Sequence, residues 1–264
     1  LELYTLRKIY VQMINQLLLL SGNDIPFEEA NLIIHPPTLK EIAYIGENTL
    51  WHGVRFLDFS KDLLDDKDKI ALTSKSDFEV LLSIVSSSEV NVQIQKTQME
   101  LVLALMFPNY KIQYTPSSML FQLQGTNDVF HIDKDSFDTF KAMLSEIFCL
   151  EQLFGGVRAS YNPANAAAEM LVKKFKERKK KLAEQKSESE GAGINVLSMY
   201  TSILVIGNHQ NLMDLMDCTV FQLLDLFSRY KLKTEFDIVM KAKMAGAKDV
   251  KDAEDWMKNL HPEL

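Results

Sequence analysis

The sequence contains little cysteine, proline or glycine, with 2 Cys, 7 Pro and 10 Gly among 264 residues. The two cysteines, Cys149 and Cys218, lie in apolar stretches with helical spacing. Buried, reduced thiols in a cytosolic protein are the favoured interpretation, and a disulfide or a reactive thiol is the alternative. The chain also lacks an internal repeat, so nothing in the sequence indicates a solenoid or another repeat architecture.

No apolar run is long enough to cross a membrane. The longest early run, residues 17–20, is far shorter than the roughly 18–20 residues that a span needs. No small-residue cleavage site accompanies it, so we expect no signal peptide. The content of 47% hydrophobic and 25% charged residues is typical of a soluble globular protein with a substantial core. The length fits one large or two ordinary domains.

Negatively charged residues outnumber positively charged ones, and the net charge is −7. A dedicated nucleic-acid binder needs a basic face, so we expect no nucleic-acid partner. One basic cluster stands out in a predicted helix over residues 164–185, which has only a narrow apolar seam. We favour a solvated or partner-binding face there, with nucleic acid as the alternative, and the seam is too narrow for membrane insertion. The cations of this cluster that we select as candidate partner-binding residues are Lys173, Lys174, Lys176 and Arg178.

Recognisable catalytic and metal-binding motifs are missing. The sequence has no phosphate-binding loop, dinucleotide fingerprint, HExxH or GxSxG. The five histidines are scattered without ligand spacing, and the acidic segment 58–68 lacks the residue order of a calcium loop. We therefore expect neither an enzyme, a cofactor nor a metal, although an enzyme without a recognisable motif stays an alternative.

The hydrophobic period predicts a mainly α (α+β) fold, with an α+β N-terminal domain over residues 1–154. Helices are predicted over residues 3–20 and 91–106, and others follow N-caps at Thr38, at Ser76 or Asp77, and at Asp135. Short β-rich segments predict a lone strand at residues 32–34 and a small antiparallel hairpin or meander later in the domain. The strands of that meander are expected at residues 110–114, 119–124 and 129–132.

Turn residues then divide the chain. Gly155 and Gly156 mark the end of the first domain, and residues 155–193 are predicted to hold the junction, the basic helix and a polar linker. An all-α domain is expected over residues 194–264, beginning with a helix over 194–206 that turns at Gly207 and Asn208.

Residues 211–261 form the stretch around which the chain is organised. Thr219 and Gln222 predict a capping box, and Gly246 a left-handed helix end. Two apolar sets between these positions are rotated relative to each other, which predicts a bend or break at residues 228–233. A short last helix carrying Trp256 is expected after Asp249. The exposed aromatic residues that we expect to bind a partner are Phe221, Phe227, Tyr230, Phe236 and Trp256.

Three motifs in this order resemble a known group of proteins. They are PPTLKEIAYIGE at residues 36–47, YNPAN at 161–165, and FQLLDLFSRYKLKTEFDI at 221–238 with its continuation to residue 261. The chain resembles tail assembly chaperones encoded in the tail-gene region of long-tailed phages of Gram-positive bacteria. The first 30 or so residues lie outside this resemblance.

The resemblance implies a non-enzymatic assembly factor in the host cytoplasm. Such chaperones coat the tape measure protein, keep it soluble, help to recruit tail tube protein around it, and leave before the virion is finished. The 12 methionines suit an adaptable protein-binding surface. Self-association is left open, and we expect neither a nucleic-acid nor a membrane partner. The alternatives are a structural tail component retained in the virion and a helical nucleic-acid-associated factor.

Overall fold

The computed structural model describes residues 14–60, 74–154, 195–247, 255–257 and 260. Within these ranges the fold is mainly α with two small antiparallel sheets, which confirms the predicted fold class. The helices are α1 (Gln16–Ser21), α2 (Leu39–Ile45), α3 (Glu47–Leu57), α4 (Asp77–Val85), α5 (Val90–Met106), α6 (Lys134–Ile147), α7 (Leu150–Phe154), α8 (Val196–Asn208), α9 (Leu212–Met216) and α10 (Val220–Met244). The strands are β1 (Ile25–Phe27), β2 (Leu32–Ile34), β3 (Tyr110–Tyr114), β4 (Met119–Leu123) and β5 (Val129–Ile132).

A two-stranded hairpin precedes the first long helices. The predicted strand β2 pairs antiparallel with β1, whose three residues carry too short a pattern to be predicted alone. Inward-facing Ile25, Phe27, Leu32 and Ile34 are buried. The chain then enters α2 through the predicted capping box, in which the Thr38 hydroxyl accepts from an α2 backbone N–H and the α2 carboxylate accepts from the Thr38 N–H.

The helices α3 and α5 pack closely and form the centre of the N-terminal core. Gly53 permits this approach, because a Cβ at that position would lie only 2.5 Å from the backbone carbonyl oxygen of Gln98. A larger residue would force the two backbones apart. The side chains that these two helices bury fully are Leu50, Val54, Leu57, Met99, Val102, Leu103 and Met106.

The predicted meander is present as a three-stranded sheet in the order β3-β4-β5. Its inner face meets an aromatic cluster in which the ring centroids of Phe107 and Phe121 are 4.7 Å apart. Helix α6 follows, but its N-cap is Asp133 and not the predicted Asp135. The Asp133 carboxylate accepts from the backbone N–H groups of Asp135 and Ser136, so the helix begins two residues earlier than predicted.

The C-terminal helices belong to the same compact unit as the described residues up to Cys149. Helix α10 contacts α1 and α6, and α9 contacts α2. Residues 150–195 form a second unit, of which α7 and Asn195 are described. The predicted domain boundaries stay predictions, because the junction between residues 155 and 194 lies outside the described residues.

Other predictions also fall outside the described residues. They are residues 3–13 of the first predicted helix, most of the acidic segment, the glycine pair and basic helix, the linker 186–193, and Asp249. Trp256 and Met257 are described as turn residues.

Candidate interaction surface

The first turns of α10 are fixed by hydrogen bonds to the N-terminal part of the chain. The predicted capping box is present: Thr219 N–H donates to Gln222 Oε1 at 2.7 Å. Gln222 Nε2 also donates to the Leu20 carbonyl at 2.7 Å, across 202 residues of sequence. One side chain therefore both caps α10 and attaches it to the end of α1.

The same turns bury one face of α10. Val220, Phe221, Leu223 and Leu224 are all 3% exposed or less. Asp225 is buried as well, and its Oδ2 accepts from Arg229 Nε at 3.1 Å. This half of the helix is a core element, so Phe221 does not present its ring to a partner as the sequence analysis expected.

Beyond Asp225 the helix leaves the core, since none of its residues from 226 to 244 is buried. The helix nevertheless continues without interruption to Met244, so the predicted break at residues 228–233 is absent. The bend or break was inferred on the assumption that both apolar sets enter one core. The second set is only half-buried or exposed, and a continuous helix therefore accommodates it.

The end of α10 has the predicted left-handed conformation. Gly246 has a φ of +89° and donates its N–H to the Lys243 carbonyl, while Ala247 donates to the Ala242 carbonyl. This pair of bonds is a Schellman motif, which satisfies carbonyl groups that the helix leaves unpaired.

An apolar groove runs along the part of α10 that follows Asp225. We call it the α10 groove, and its lining residues are Phe227, Tyr230, Lys231, Thr234, Glu235, Ile238 and Val239. These positions are spaced by three and four residues, so they form one stripe of the helix surface. Ile238 is 62% exposed, so its side chain is accessible from the solvent.

Helix α8 holds the aromatic wall of the α10 groove. The rings of Tyr200 and Phe227 stack with centroids 3.8 Å apart. Tyr230 lies over Gly207, where an added Cβ would come within 2.1 Å of the Tyr230 hydroxyl oxygen. Gly207 was predicted to turn the chain, but α8 continues through Asn208 and the left-handed residue is His209. The glycine is needed instead for the contact with Tyr230.

Helix α8 is itself capped from the N-terminal part of the chain. Glu47 accepts from the backbone N–H of Leu197 at 2.7 Å and of Ser198 at 3.3 Å. Its Oε1 also accepts from Trp51 Nε1 at 3.2 Å. A carboxylate at this position satisfies N–H groups in the first turn and interacts favourably with the helix dipole.

Several methionines in the C-terminal part of the chain are exposed. They lie on α8, α9, α10 and the turn near Trp256, and they are Met199, Met213, Met240, Met244 and Met257. Methionine side chains are flexible and polarisable, so exposed methionines adapt to apolar partners of different shape.

The predicted partner residues therefore have different surroundings. Phe227 and Tyr230 line the α10 groove, whereas Phe236 and Trp256 are half-exposed and are not among its lining residues. The four cations of the basic cluster lie outside the described residues. Sequence reasoning did not select Ile238 or Thr234; the i, i+4, i+7 and i+11 spacing from Phe227 is the signal that identifies this stripe.

The thiols are poorly suited to nucleophilic chemistry. Both cysteines are free, as favoured from the sequence, and Cys149 is buried while Cys218 is half-buried. Burial, with the nearby charge of Asp225, raises the pKa of Cys149 to about 12. Burial and two neighbouring aspartates raise the pKa of Cys218 as well. Neither thiol is therefore activated as a thiolate at neutral pH.

Neither a cluster for a metal ion nor a membrane-spanning helix occurs among the described residues. No group of three or more His, Cys, Asp or Glu side chains in these ranges is placed to hold a metal ion. No described helix is long and apolar enough to cross a membrane.

Comparison with known proteins gives one match. A family model for the YomV second domain matches residues 185–261, a segment that contains α8, α9 and α10. No curated protein and no solved structure matches the chain. The matched segment is under a third of the chain, and it carries the whole α10 groove. The match indicates a phage-associated protein.

Proposed function

We propose that this protein is a non-enzymatic phage tail assembly factor, a chaperone that binds the tape measure protein and assists assembly of the tail tube in the host cytoplasm. The observation that carries the proposal is the α10 groove, an exposed apolar stripe within the segment that matches the YomV second domain. The resemblance of three sequence motifs to tail assembly chaperones supports the same function.

The shape of the α10 groove fits a helical partner. Its lining residues span 13 positions, from Phe227 to Val239, which is roughly 18 Å of helix. A partner helix presents apolar side chains at the same three- and four-residue spacing, so it can lie along such a stripe. Tape measure proteins are long and helical in the group that this chain resembles, and they offer many segments of this kind.

The groove combines a fixed and an adaptable part. Phe227 and Tyr230 are held by Tyr200 and Gly207 of α8, so they lose little freedom when a partner binds. The exposed methionines of α8, α9 and α10 are flexible and can repack around different side chains. A chaperone that coats successive segments of one long protein needs this tolerance, because the segments differ in sequence.

Reversible binding also follows from this construction. The apolar strip is short and its charged members, Lys231 and Glu235, stay solvated at the edge. Such a strip gives modest affinity per site, and the many sites on a long partner supply the total. Release during tail assembly then requires the loss of only weak individual contacts.

The test is co-expression of the full chain with the tape measure protein of the same phage. The unaltered chain should keep that protein soluble and should be retained with it in a pull-down assay. Ile238→Glu should weaken binding tenfold or more, about 1.4 kcal/mol, because it places a charge in the apolar stripe. Folding should be unaffected, since Ile238 is exposed and glutamate favours helix.

A matched control is available on α5. Val90 is 76% exposed and distant in sequence from α10, so Val90→Glu makes the same kind of change away from the α10 groove. It should leave binding unchanged. Equal binding by both variants would contradict the proposed surface. Mass spectrometry that finds stoichiometric amounts in purified virions would favour a retained structural component and overturn the chaperone role.

A further inference from the structure

His35 lies between two carboxylates at the entry to α2. Its Nδ1 is 2.8 Å from Asp24 Oδ1, and its Nε2 is 3.2 Å from Glu41 Oε2. Asp24 precedes β1, whereas Glu41 is in the first turn of α2. The imidazole therefore joins two segments that flank the β1-β2 hairpin.

The two contacts together need a proton on each ring nitrogen of His35. Carboxylates only accept hydrogen bonds, so each nitrogen of His35 must carry an N–H to bond both. The neutral ring has one N–H and can satisfy only one of them. Burial opposes the charged ring, but the hydrogen bonds and charges of Asp24 and Glu41 outweigh it and raise the pKa of His35. Among described residues, no charge other than these two carboxylates shifts the ring.

The Glu41 carboxylate connects this contact to the start of α10. It accepts from the Thr38 N–H and hydroxyl, each at 2.8 Å. Thr38 in turn forms an isolated antiparallel bridge with Thr219, the N-cap of α10. The next residue, Leu39, donates its N–H to the Cys218 carbonyl at 2.8 Å. The two capping boxes therefore lie side by side, and His35 holds the carboxylate of one of them.

We propose that His35, Asp24 and Glu41 form a pH-sensitive clamp that holds the start of α2 against the start of α10. The clamp is closed while the ring is charged and bonds both carboxylates. It weakens when the ring loses its proton, because one carboxylate then loses its donor. The contact between α2 and α10 at Thr38 and Thr219 is consequently tighter at mildly acidic than at alkaline pH. This inference is independent of the proposed function.

The direction of the pH dependence follows from the pKa of each group in the folded and in the unfolded state. A histidine with a raised pKa adds stability that is complete below its unfolded pKa, near 6.5, and is lost as pH rises through the folded pKa. The pKa of Glu41 is lowered; burial acts against this, but hydrogen bonds from Thr38 and His35 outweigh it. Its contribution is present above the unfolded pKa, about 4.3, and is lost as pH falls through the folded pKa. The clamp is therefore strongest between these two titrations.

The experiment is hydrogen exchange of the full chain at pH 5.5 and pH 7.5, below the range in which thiol ionisation affects stability, and corrected for the intrinsic pH dependence of exchange. Peptides covering the first turns of α2 and α10 report on the Leu39–Cys218 bond and on the Thr219 capping box. We expect protection there to fall about two- to fivefold at the higher pH, the range of a partly exposed ion pair. His35→Gln should show the lower protection at both pH values.

Two further variants complete the test. His35→Arg keeps charge and several donors at every pH, so protection should stay high throughout. His52→Gln, an exposed histidine on α3, should behave like the unaltered chain. A pH dependence that survives His35→Gln, or its absence from the unaltered chain, would overturn the proposal. If His35→Gln fails to fold, the His35→Arg profile alone decides, because a pH-dependent Arg variant contradicts the clamp.

Discussion

Tyr200 of α8 and Phe227 of α10 stack with their ring planes 11° apart and their centroids 3.8 Å apart. This pair lies where α10 leaves the core and the α10 groove begins. It connects α8 to α10 just beyond Asp225, in the half-exposed part of α10.

We expect the Tyr200–Phe227 pair to contribute measurable coupling. A double-mutant cycle with Tyr200→Ala and Phe227→Ala should give an interaction free energy of about 0.5–1.5 kcal/mol in urea unfolding. The physical reason is contact between two aromatic faces beyond simple area burial. Additive effects within about 0.3 kcal/mol would show that the stack adds nothing to the stability of α8 and α10.

Gly207→Ala should displace Tyr230 rather than unfold the chain. The new methyl group takes the space of the Tyr230 hydroxyl, and that half-exposed ring can move outward. Alanine is also the better helix former by about 0.8–1 kcal/mol, which offsets the lost contact. The melting temperature should change little, while binding to the proposed partner weakens.

The control for Gly207→Ala uses the background variant Tyr230→Ala. With the ring absent, Gly207→Ala should stabilise the protein by about 0.5–1 kcal/mol, because only the helix propensity remains. Destabilisation in that background would mean that something other than Tyr230 needs the glycine.

Glu47→Ala should destabilise the protein by about 1–3 kcal/mol. The change removes the carboxylate that accepts from the Leu197 N–H and from the Trp51 indole N–H, and with it the cap of α8. Urea unfolding measures this loss. Asn48→Ala is the matched control on an exposed neighbouring position and should cost less than about 0.5 kcal/mol. A similar cost for both variants would argue against the role of Glu47 as a cap for α8.

Stability should fall in alkaline solution because of Cys149. Burial and the charge of Asp225 raise its folded pKa to about 12, whereas an unfolded cysteine has a pKa near 8.5. The unfolded state therefore loses its proton first, and the free energy of unfolding decreases as pH rises above about 8.5. Cys149→Ala should show a shallower decrease between pH 8.5 and 10. Parallel pH profiles for the two proteins would exclude this contribution.

The local elements followed from short-range physics. Capping boxes at Thr38 and Thr219, the left-handed Gly246 and the three strands of the second sheet depend on neighbouring residues, and each is present as predicted. The break predicted in α10 is absent, because its prediction needed knowledge of which apolar stripe enters the core. That information lies in contacts between residues that are distant in the chain.

The candidate surface was only partly predictable for the same reason. Phe227 and Tyr230 were identified from their aromatic character, but so was Phe221, which is 3% exposed. Periodicity alone cannot separate an apolar stripe that is buried from its continuation that is exposed. The change occurs near Asp225, and beyond it α10 keeps contacts with α8 but buries no residue fully.

By itself the sequence determined the mainly α fold class, the start and end of α10, the free state of the two cysteines and the resemblance to phage tail proteins. Those properties depend on composition, local hydrogen bonding and residue order. Only the tertiary structure decided that α10 is buried for its first turns and exposed afterwards. It also decided that Glu47, Gln222 and His35 join segments far apart in sequence. Such contacts arise from packing of whole elements, and no local pattern specifies the partner.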